Sequence, residues 1–287
     1  IYTEPDEISR VQRPTADRNT ARLRAATSMA ADALVGDVAR RLAEPGIRVM
    51  PVKGALLQHW LYDDPTDRPL TDVDLLVLPQ NLERAVRQLE SAGYRTLLRP
   101  SFGAVVLHTP FGLALDLHPS LFDAARYRLR TAELFARSTE DTHLYSAHVQ
   151  LPSPLDAYAH LIGKFGSDHL DGRATGRLDE IARMASLIDL PAETVAEHLV
   201  DCGMRRVSRY VLPLVHQTMN EPFAAKVHRS LPFDPVGACI AALASSSLHN
   251  APPVSRRGAL LAHSLNDSLP RAARSGARAL LQKIRRP

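Results

Sequence analysis

Apolar residues in the first part of the chain alternate between helical and strand-like spacing. A long run with helical spacing predicts a helix over about Thr15 to Ala43, which Pro45-Gly46 ends. The short β-branched run IRVMPV then predicts a strand, and Gly54 begins a short helix directly after it. A turn-rich loop, DDPTDRP, separates this helix from the next strand-like run, DVDLLVL.

One amphipathic helix and three more strands are predicted after this second strand. The helix, NLERAVRQLESAG, stops at Gly93. The runs YRTLLR, AVVLHT and LALDLH have the composition of strands, and Pro110 and Gly112 predict a hairpin between the last two.

The chain changes character after about Pro152. Ser153, Pro154 and Asp156 have the spacing of a helix N-terminus, and the runs that follow are helical. The basic, amphipathic segment 268–287 is expected either to touch an anionic surface or to be a solvated terminal helix, which we favour. The pattern therefore predicts an α+β fold in three parts: an N-terminal helical segment 1–45, a core 46–150 and a helical C-terminal domain 151–287.

Composition and charge fit an ordinary soluble protein and exclude several classes. The 287 residues suffice for a sizeable core, and a net charge of +4, from 35 bases and 31 acids, is too small to predict nucleic-acid binding. Only two cysteines occur, so we expect no disulfide scaffold and a cytoplasmic location. No apolar run approaches the roughly 18 residues of a membrane span.

Two acids, Asp72 and Asp74, lie one residue apart inside the apolar run DVDLLVL. On a strand their side chains share one face, while Val73, Leu75 and Val77 point to the other. Two parallel carboxylates repel each other unless a cation lies between them, and Mg²⁺ suits such a site. A lone D-x-D is also typical of a solvated strand end, so the motif by itself is weak.

Two further features favour a site over a solvated end. Lys53-Gly54 lies between a strand and a helix N-terminus, where free N–H groups and a positive charge suit phosphate. Asp116 lies inside the apolar strand LALDLH, on the same face as His118. If this strand lies beside that of Asp72 and Asp74, three carboxylates converge, as in sites for two metal ions.

The order strand, Gly at a helix start, D-x-D strand and later single Asp resembles the polymerase-beta-like nucleotidyltransferase superfamily. The runs VKGALLQHWLYDDPTDRPLTDVDLLV, LERAVRQLESAGY and LALDLH resemble, more closely, the bacterial family of uncharacterised nucleotidyltransferases. The resemblance covers roughly Arg48 to Leu190. One departure is Ala55, because much of the superfamily has Ser after the Gly.

The resemblance implies a fold, an activity and roles for particular residues. The fold is a small mixed sheet with flanking helices, followed by a helical domain. The activity is transfer of an NMP, by default AMP from ATP, to a hydroxyl of a small molecule or protein, with release of pyrophosphate. Asp72, Asp74 and Asp116 would hold Mg²⁺, with Mn²⁺ as the alternative, and Asp116 would accept the hydroxyl proton. Lys53 and Gly54 would hold the triphosphate.

Other candidate residues each have a structural alternative. Arg68 is predicted either to clamp a phosphate or to pair with Asp67 or Asp72. His118 would contact the nucleotide or the acceptor, or donate a hydrogen bond to a carboxylate, which we favour. A polar set in the helical half is expected either to line the acceptor side of the cleft or to be solvated: His160, Lys164, His169 and Asp179.

Three other functions stay open. The first is a catalytically silent binding protein, for example one of a toxin–antitoxin pair, although three intact acids argue against it. The second is a transferase that uses another activated donor, such as a nucleotide sugar, and the third is an RNA-modifying enzyme. P-loop, Rossmann, α/β-hydrolase and zinc-site motifs do not occur in the sequence.

Overall fold

The computed structural model describes residues 15–99, 103–123, 126–170, 178–239, 242 and 264–267. Residues 1–14 and the predicted basic C-terminal helix lie outside the described residues. The helices are α1 (Thr15–Ala43), α2 (Gly54–Leu61), α3 (Leu82–Ser91), α4 (Thr131–Ala136), α5 (Pro154–Leu170), α6 (Leu178–Ala185), α7 (Ala192–Asp201), α8 (Arg205–Met219) and α9 (Pro222–Ser230). The strands are β1 (Met50–Val52), β2 (Asp72–Leu76), β3 (Arg95–Leu98), β4 (Val105–His108), β5 (Ala114–His118), β6 (Thr139–Asp141) and β7 (Val149–Leu151).

The strands predicted in the first half form one small mixed sheet, which confirms the α+β fold. Its strand order is β1-β2-β5-β4-β3, with β2 and β5 parallel and the other neighbours antiparallel. The predicted hairpin joins β4 to β5, and Gly112 in its turn has a positive φ of 78° that suits glycine. The sequence did not predict α4, α9 or the separate β6–β7 ribbon.

One face of the sheet is apolar along β2 and β5 and packs against helices. Val73, Leu75, Leu115 and Leu117 are fully buried there, in a core cluster that includes residues of α1 and α3. The alternation of strand side chains therefore leaves the intervening residues, Asp72, Asp74, Asp116 and His118 among them, on the opposite face.

The opposite face of the sheet shares a second core with the helical half. Met50 and Val52 of β1 belong to the same buried cluster as Tyr158 and Ile162 of α5, and this cluster extends to α9. Within the helical half, α5 approaches α8 closely: a Cβ added to Gly166 would lie 2.3 Å from a methyl of Val207. The boundary at 150/151 stays a prediction, because this core includes residues from both sides of it.

No helix among the described residues combines the length and the apolar character that crossing a membrane requires.

Candidate active site

The parallel pairing of β2 and β5 brings the predicted acids together. Asp74 lies directly opposite Asp116 in the ladder, and Asp72 lies opposite Ala114. Directly paired residues project from the same face of a sheet at short distance, so the Asp74 and Asp116 carboxylates are neighbours. Asp72 lies two residues before Asp74 in β2, on the same face of the sheet.

The tightest group of potential metal ligands differs in one member from the predicted set. Among the described residues, ligand atoms of Asp74, Asp116 and His118 all lie within 4.8 Å of one another. We call these three residues the acid cluster. Asp72 is not part of it, and its carboxylate accepts a hydrogen bond of 3.0 Å from the hydroxyl of Thr71. Its predicted role as a metal ligand stays a prediction.

Lys53 is held in an unusual backbone conformation at the junction of β1 and α2. Its φ is 52° and its ψ is −128°, a combination that side-chain-bearing residues rarely adopt and that costs on the order of 1–3 kcal/mol. Its ammonium donates a 2.5 Å hydrogen bond to Asp74 Oδ1 and lies 3.4 Å from His118 Nε2. The strain therefore accompanies a lysine that contacts the acid cluster.

His118 donates to the same oxygen of Asp74. The distance from His118 Nε2 to Asp74 Oδ1 is 2.7 Å, and Asp74 is only 4% exposed. Since an ionised carboxylate accepts hydrogen bonds and donates none, His118 supplies the proton of this bond. A hydrogen bond between His118 and a carboxylate was the role that the sequence favoured for this residue.

The two carboxyl groups of the acid cluster have pKa values shifted in opposite directions. Burial by itself would raise the pKa of Asp74, but the hydrogen bond from His118 and the charge of Lys53 outweigh it and lower that pKa to about 2. The pKa of Asp116 is raised, mainly by burial and then by the negative charges of Asp74 and Asp72. Asp116 is thus the acid of the pair with the higher proton affinity.

A divalent cation fits this arrangement of charges. Three carboxylates, those of Asp72, Asp74 and Asp116, lie on this face beside the Lys53 ammonium, and burial and then repulsion from Asp74 and Asp72 raise the pKa of Asp116. Carboxylate oxygens are the ligands that Mg²⁺ prefers, and imidazole suits Mn²⁺ less well than it suits softer metals. Asp74 and Asp116 would therefore hold a metal ion, and a metal ion on Oδ1 of Asp74 would compete with the Lys53 ammonium for that oxygen.

Gly54 leaves space that a side chain from the following loop fills. A Cβ at Gly54 would lie 2.6 Å from Arg68 Nη1 and 2.7 Å from a methyl of Leu70. The Arg68 guanidinium thus lies beside the first residue of α2. Its Nε donates a 2.9 Å hydrogen bond to Glu180 of α6, and not to Asp67 or Asp72, which the sequence had offered as partners. A role of Arg68 in phosphate binding stays a prediction.

The residues predicted on the acceptor side lie in different environments. His160 is 4% exposed, and the charges of Lys53 and Asp74 both act on its pKa, so it lies near the acid cluster. Lys164 is its neighbour on α5 and pairs with Asp168. His169 lies in α5, but its side chain is outside what the structure describes, and Asp179 lies in the first turn of α6. Their roles toward an acceptor stay predictions.

Contacts from distant parts of the chain hold the Lys53-Gly54 junction in place, and the sequence predicted none of them. The hydroxyl of Tyr145 donates a 2.7 Å hydrogen bond to the carbonyl of Ala55, and Gln58 and His59 contact Asp32 of α1. The sequence also did not identify Glu180 as the partner of Arg68. A buried acid on an amphipathic helix is a detectable signal, but the pattern does not identify its partner.

Three comparisons with known proteins complete the description of the site. The family described as "Uncharacterised nucleotidyltransferase" matches residues 11–220. Among solved structures, an antigenic nucleotidyltransferase-like protein from Paracoccidioides brasiliensis matches with a TM-score of 0.40 and 16% identity, covering 70% of this chain and 93% of that chain. The comparison with curated proteins found no match.

Proposed function

Because the chain belongs to the uncharacterised nucleotidyltransferase family, we propose that it transfers an NMP from an NTP to a hydroxyl group and releases pyrophosphate. The family supports nucleotidyl transfer in general. The finer parts are proposals: a dependence on Mg²⁺, or alternatively Mn²⁺, ATP as the default donor, and a small molecule or a protein as the acceptor.

The observation that carries the proposal is the parallel pairing of β2 with β5. It places two carboxylates of opposite pKa shift, Asp74 and Asp116, side by side on one face of the sheet. The low pKa keeps Asp74 ionised, which suits a permanent ligand of a cation. The raised pKa of Asp116 suits a group that accepts a proton during the reaction.

In the proposed reaction an acceptor hydroxyl oxygen forms a bond to the α-phosphorus, and the bond from that phosphorus to the bridging oxygen of pyrophosphate breaks. A divalent metal supplies charge neutralisation of the phosphates when it is bound. Asp116 takes the hydroxyl proton. The Lys53 ammonium and the N–H groups at the start of α2 bind the anionic phosphates, and Arg68, which lies beside Gly54, adds positive charge there.

The alternative donor is a nucleotide sugar, since the same face of charged residues would also bind a diphosphate. A silent binding protein would not need two neighbouring carboxylates that repel each other, because such repulsion lowers stability unless a ligand offsets it.

Calorimetry with ATP, GTP, CTP and UTP, each with Mg²⁺, tests the proposal. We expect wild-type protein to bind one nucleotide in a metal-dependent manner and Asp74→Asn and Asp116→Asn to lose that binding at least tenfold, as expected for loss of a charged contact. Glu83→Gln is the matched control, because it removes an exposed carboxylate of α3, a helix that packs against the other face of the sheet. Absence of binding of all four nucleotides to folded wild-type protein would contradict an NTP donor and turn the search to nucleotide sugars.

A further inference from the structure

A small, partly enclosed pocket lies between the sheet and the helical half, next to the acid cluster. We call it the His160 pocket. Its walls are formed by β1, the start of α2, α4, α5 and nearby loop residues, and Lys53 and His160 are among its polar residues. The other walls are mainly apolar, with Val52, Leu57 and Leu161 among them.

The His160 pocket continues from the face of the sheet that carries the acids. Val52 lies directly opposite Asp74 in the antiparallel ladder of β1 and β2, so both side chains project from the same face. Lys53, the next residue, lines the pocket and also contacts Asp74. A group bound in the pocket would therefore lie next to the lysine that touches the acid cluster.

One buried polar atom of a residue that lines this pocket has no hydrogen-bond partner among the described residues. Among the described residues, Nε2 of His160 has none, although the side chain is 4% exposed. The ring packs edge-on against Phe122 with centroids 5.4 Å apart. Burial, and next the charge of Lys53, lower the pKa of His160 to about 3, so the imidazole is neutral at physiological pH. A buried polar atom without a partner is costly, and a ligand atom that pairs with it would recover that cost.

The size of the pocket limits what it admits. Its free volume is about 20 Å³, room for one water molecule or one small chemical group. A nucleobase or a sugar ring is far larger, so the pocket does not suit the donor nucleotide. Lys53 and Asp156 also line the pocket, but the Lys53 ammonium is paired with Asp74 and the Asp156 carboxylate with Arg137, so the apolar walls and the neutral imidazole favour an uncharged group.

We propose that the His160 pocket is the anchoring subsite for the acceptor, and that it takes the end of a short, uncharged aliphatic group whose oxygen hydrogen-bonds with His160 Nε2. This inference rests on the proposed function, because it assigns the neighbouring acid cluster to the donor side of the same reaction. It narrows the acceptor to a molecule with a small neutral end.

Ethanol is a suitable probe, because it combines one hydroxyl with a two-carbon chain. The His160 imidazole ¹⁵N resonances are followed while ethanol is added to the full chain. We expect a saturable shift with half-saturation in the millimolar range, which is the ceiling for so small a ligand. Val52→Ile, which adds one methyl to the pocket wall, should abolish the saturable shift. Ala157→Val adds bulk to another wall residue and serves as a second filling variant in case Val52→Ile does not fold.

The matched control is Val195→Ile, which makes the same change in the same core but in α7, away from the pocket. It should leave the ethanol shift unchanged. A shift that stays linear in ethanol concentration, or that persists in the filled variants, would overturn the subsite.

Nucleotide binding, measured on the same samples, separates this inference from the proposed function. If the His160 pocket is an acceptor subsite, ethanol binds equally well with and without the Mg²⁺–nucleotide found by calorimetry. Val52→Ile then retains nucleotide binding. Competition between ethanol and the nucleotide would overturn the acceptor assignment. If the nucleotide binds but ethanol does not, the subsite fails and the transferase proposal stands. If ethanol binds saturably and no nucleotide binds, the pocket is a ligand site, while transfer from an NTP and the acceptor assignment that rests on it both fail.

Discussion

At the scale of single residues, Lys53 links several features of the site. Its strained backbone turns the chain from β1 into α2, and its ammonium contacts Asp74 and lies near His118. Strained backbone at such positions is common where a side chain must be held for function. A cation that binds Oδ1 of Asp74 competes with this ammonium, and the displaced charge would then be available to phosphate.

Replacement of Lys53 by methionine tests this competition. We expect Lys53→Met to tighten Mn²⁺ binding about tenfold, since a hydrogen bond to a charged group is worth about 1.5–3 kcal/mol and no longer has to be broken. Electron paramagnetic resonance of free Mn²⁺ measures the affinity directly. We also expect weaker nucleotide binding by calorimetry.

The control for this variant is Lys164→Met, which removes an ammonium that pairs with Asp168 on α5. It should leave Mn²⁺ affinity unchanged. Unchanged or weaker Mn²⁺ binding by Lys53→Met would show that the metal does not use the oxygen of Asp74 that Lys53 contacts.

At the scale of secondary structure, the N-terminus of α5 depends on one buried acid. Asp156 is hydrogen-bonded by the Ser153 hydroxyl, receives two bonds from the Arg137 guanidinium and lies 3.1 Å from His198 of α7. It thereby joins α5, which carries His160, to α7 and to the residue that follows α4. Burial by itself would raise the pKa of Asp156, but these contacts outweigh it and lower that pKa.

The lowered pKa sets the pH dependence of this contribution. The ionised form of Asp156 is favoured in the folded state, so its stabilisation is present above the unfolded-state pKa of about 3.9 and is lost as the pH falls below it. We expect Asp156→Asn to lower the free energy of unfolding by about 2 kcal/mol at pH 7, because a buried carboxylate loses its charge-assisted hydrogen bonds with the partly exposed Arg137. The difference from wild type should shrink below about pH 4.

Urea unfolding at several pH values measures both effects. Glu83→Gln is the control, since Glu83 pairs with Arg99 on an exposed surface and such pairs contribute little. A stability difference for Asp156→Asn that is the same at pH 7 and at acid pH would contradict the ionic role of Asp156.

At the scale of the whole molecule, one core joins the sheet to the helical half. Residues of β1 and α2 share a buried cluster with residues of α5 to α9, and the Arg68–Glu180 ion pair crosses the same junction. Both the acid cluster and the His160 pocket lie at this junction. Their geometry therefore depends on the two halves being folded together.

We expect the described residues to unfold in one cooperative transition. Trp60, the single tryptophan of the sequence, lies in α2 and packs against the shared core, so its fluorescence reports the sheet side. Far-UV circular dichroism reports mainly the helices. In urea the two signals should have the same midpoint, and Leu199→Ala in α7 should lower both midpoints equally, at a cost of about 3 kcal/mol.

The control is Leu190→Ala, which truncates a leucine at an exposed position and should move neither midpoint appreciably. Two separate midpoints, with Leu199→Ala shifting only the dichroism signal, would show that the halves are independent domains with a boundary near the predicted one.

Local features of the chain were predictable from sequence because they depend on local physics. The helix Thr15–Ala43 and the five strands of the sheet were predicted from spacing and from turn residues. The acids Asp74 and Asp116 stood out because each interrupts an apolar strand, and alternation of side chains then specifies the face on which each lies. The family was also identifiable, since its motifs are short and local.

Long-range partners were decided only by the tertiary structure. Strand alternation does not specify which strands pair, and the parallel register of β2 with β5 is what places Asp74 opposite Asp116. The Lys53–Asp74 contact and the Arg68–Glu180 ion pair likewise depend on residues far apart in sequence, as does the burial of the His160 nitrogen that has no partner in the described part of the chain. The sequence by itself determined which chemical groups are present and on which faces they lie. The packing of the sheet against the helical half decided which of them meet, because burial and hydrogen-bond partners are properties of the folded whole.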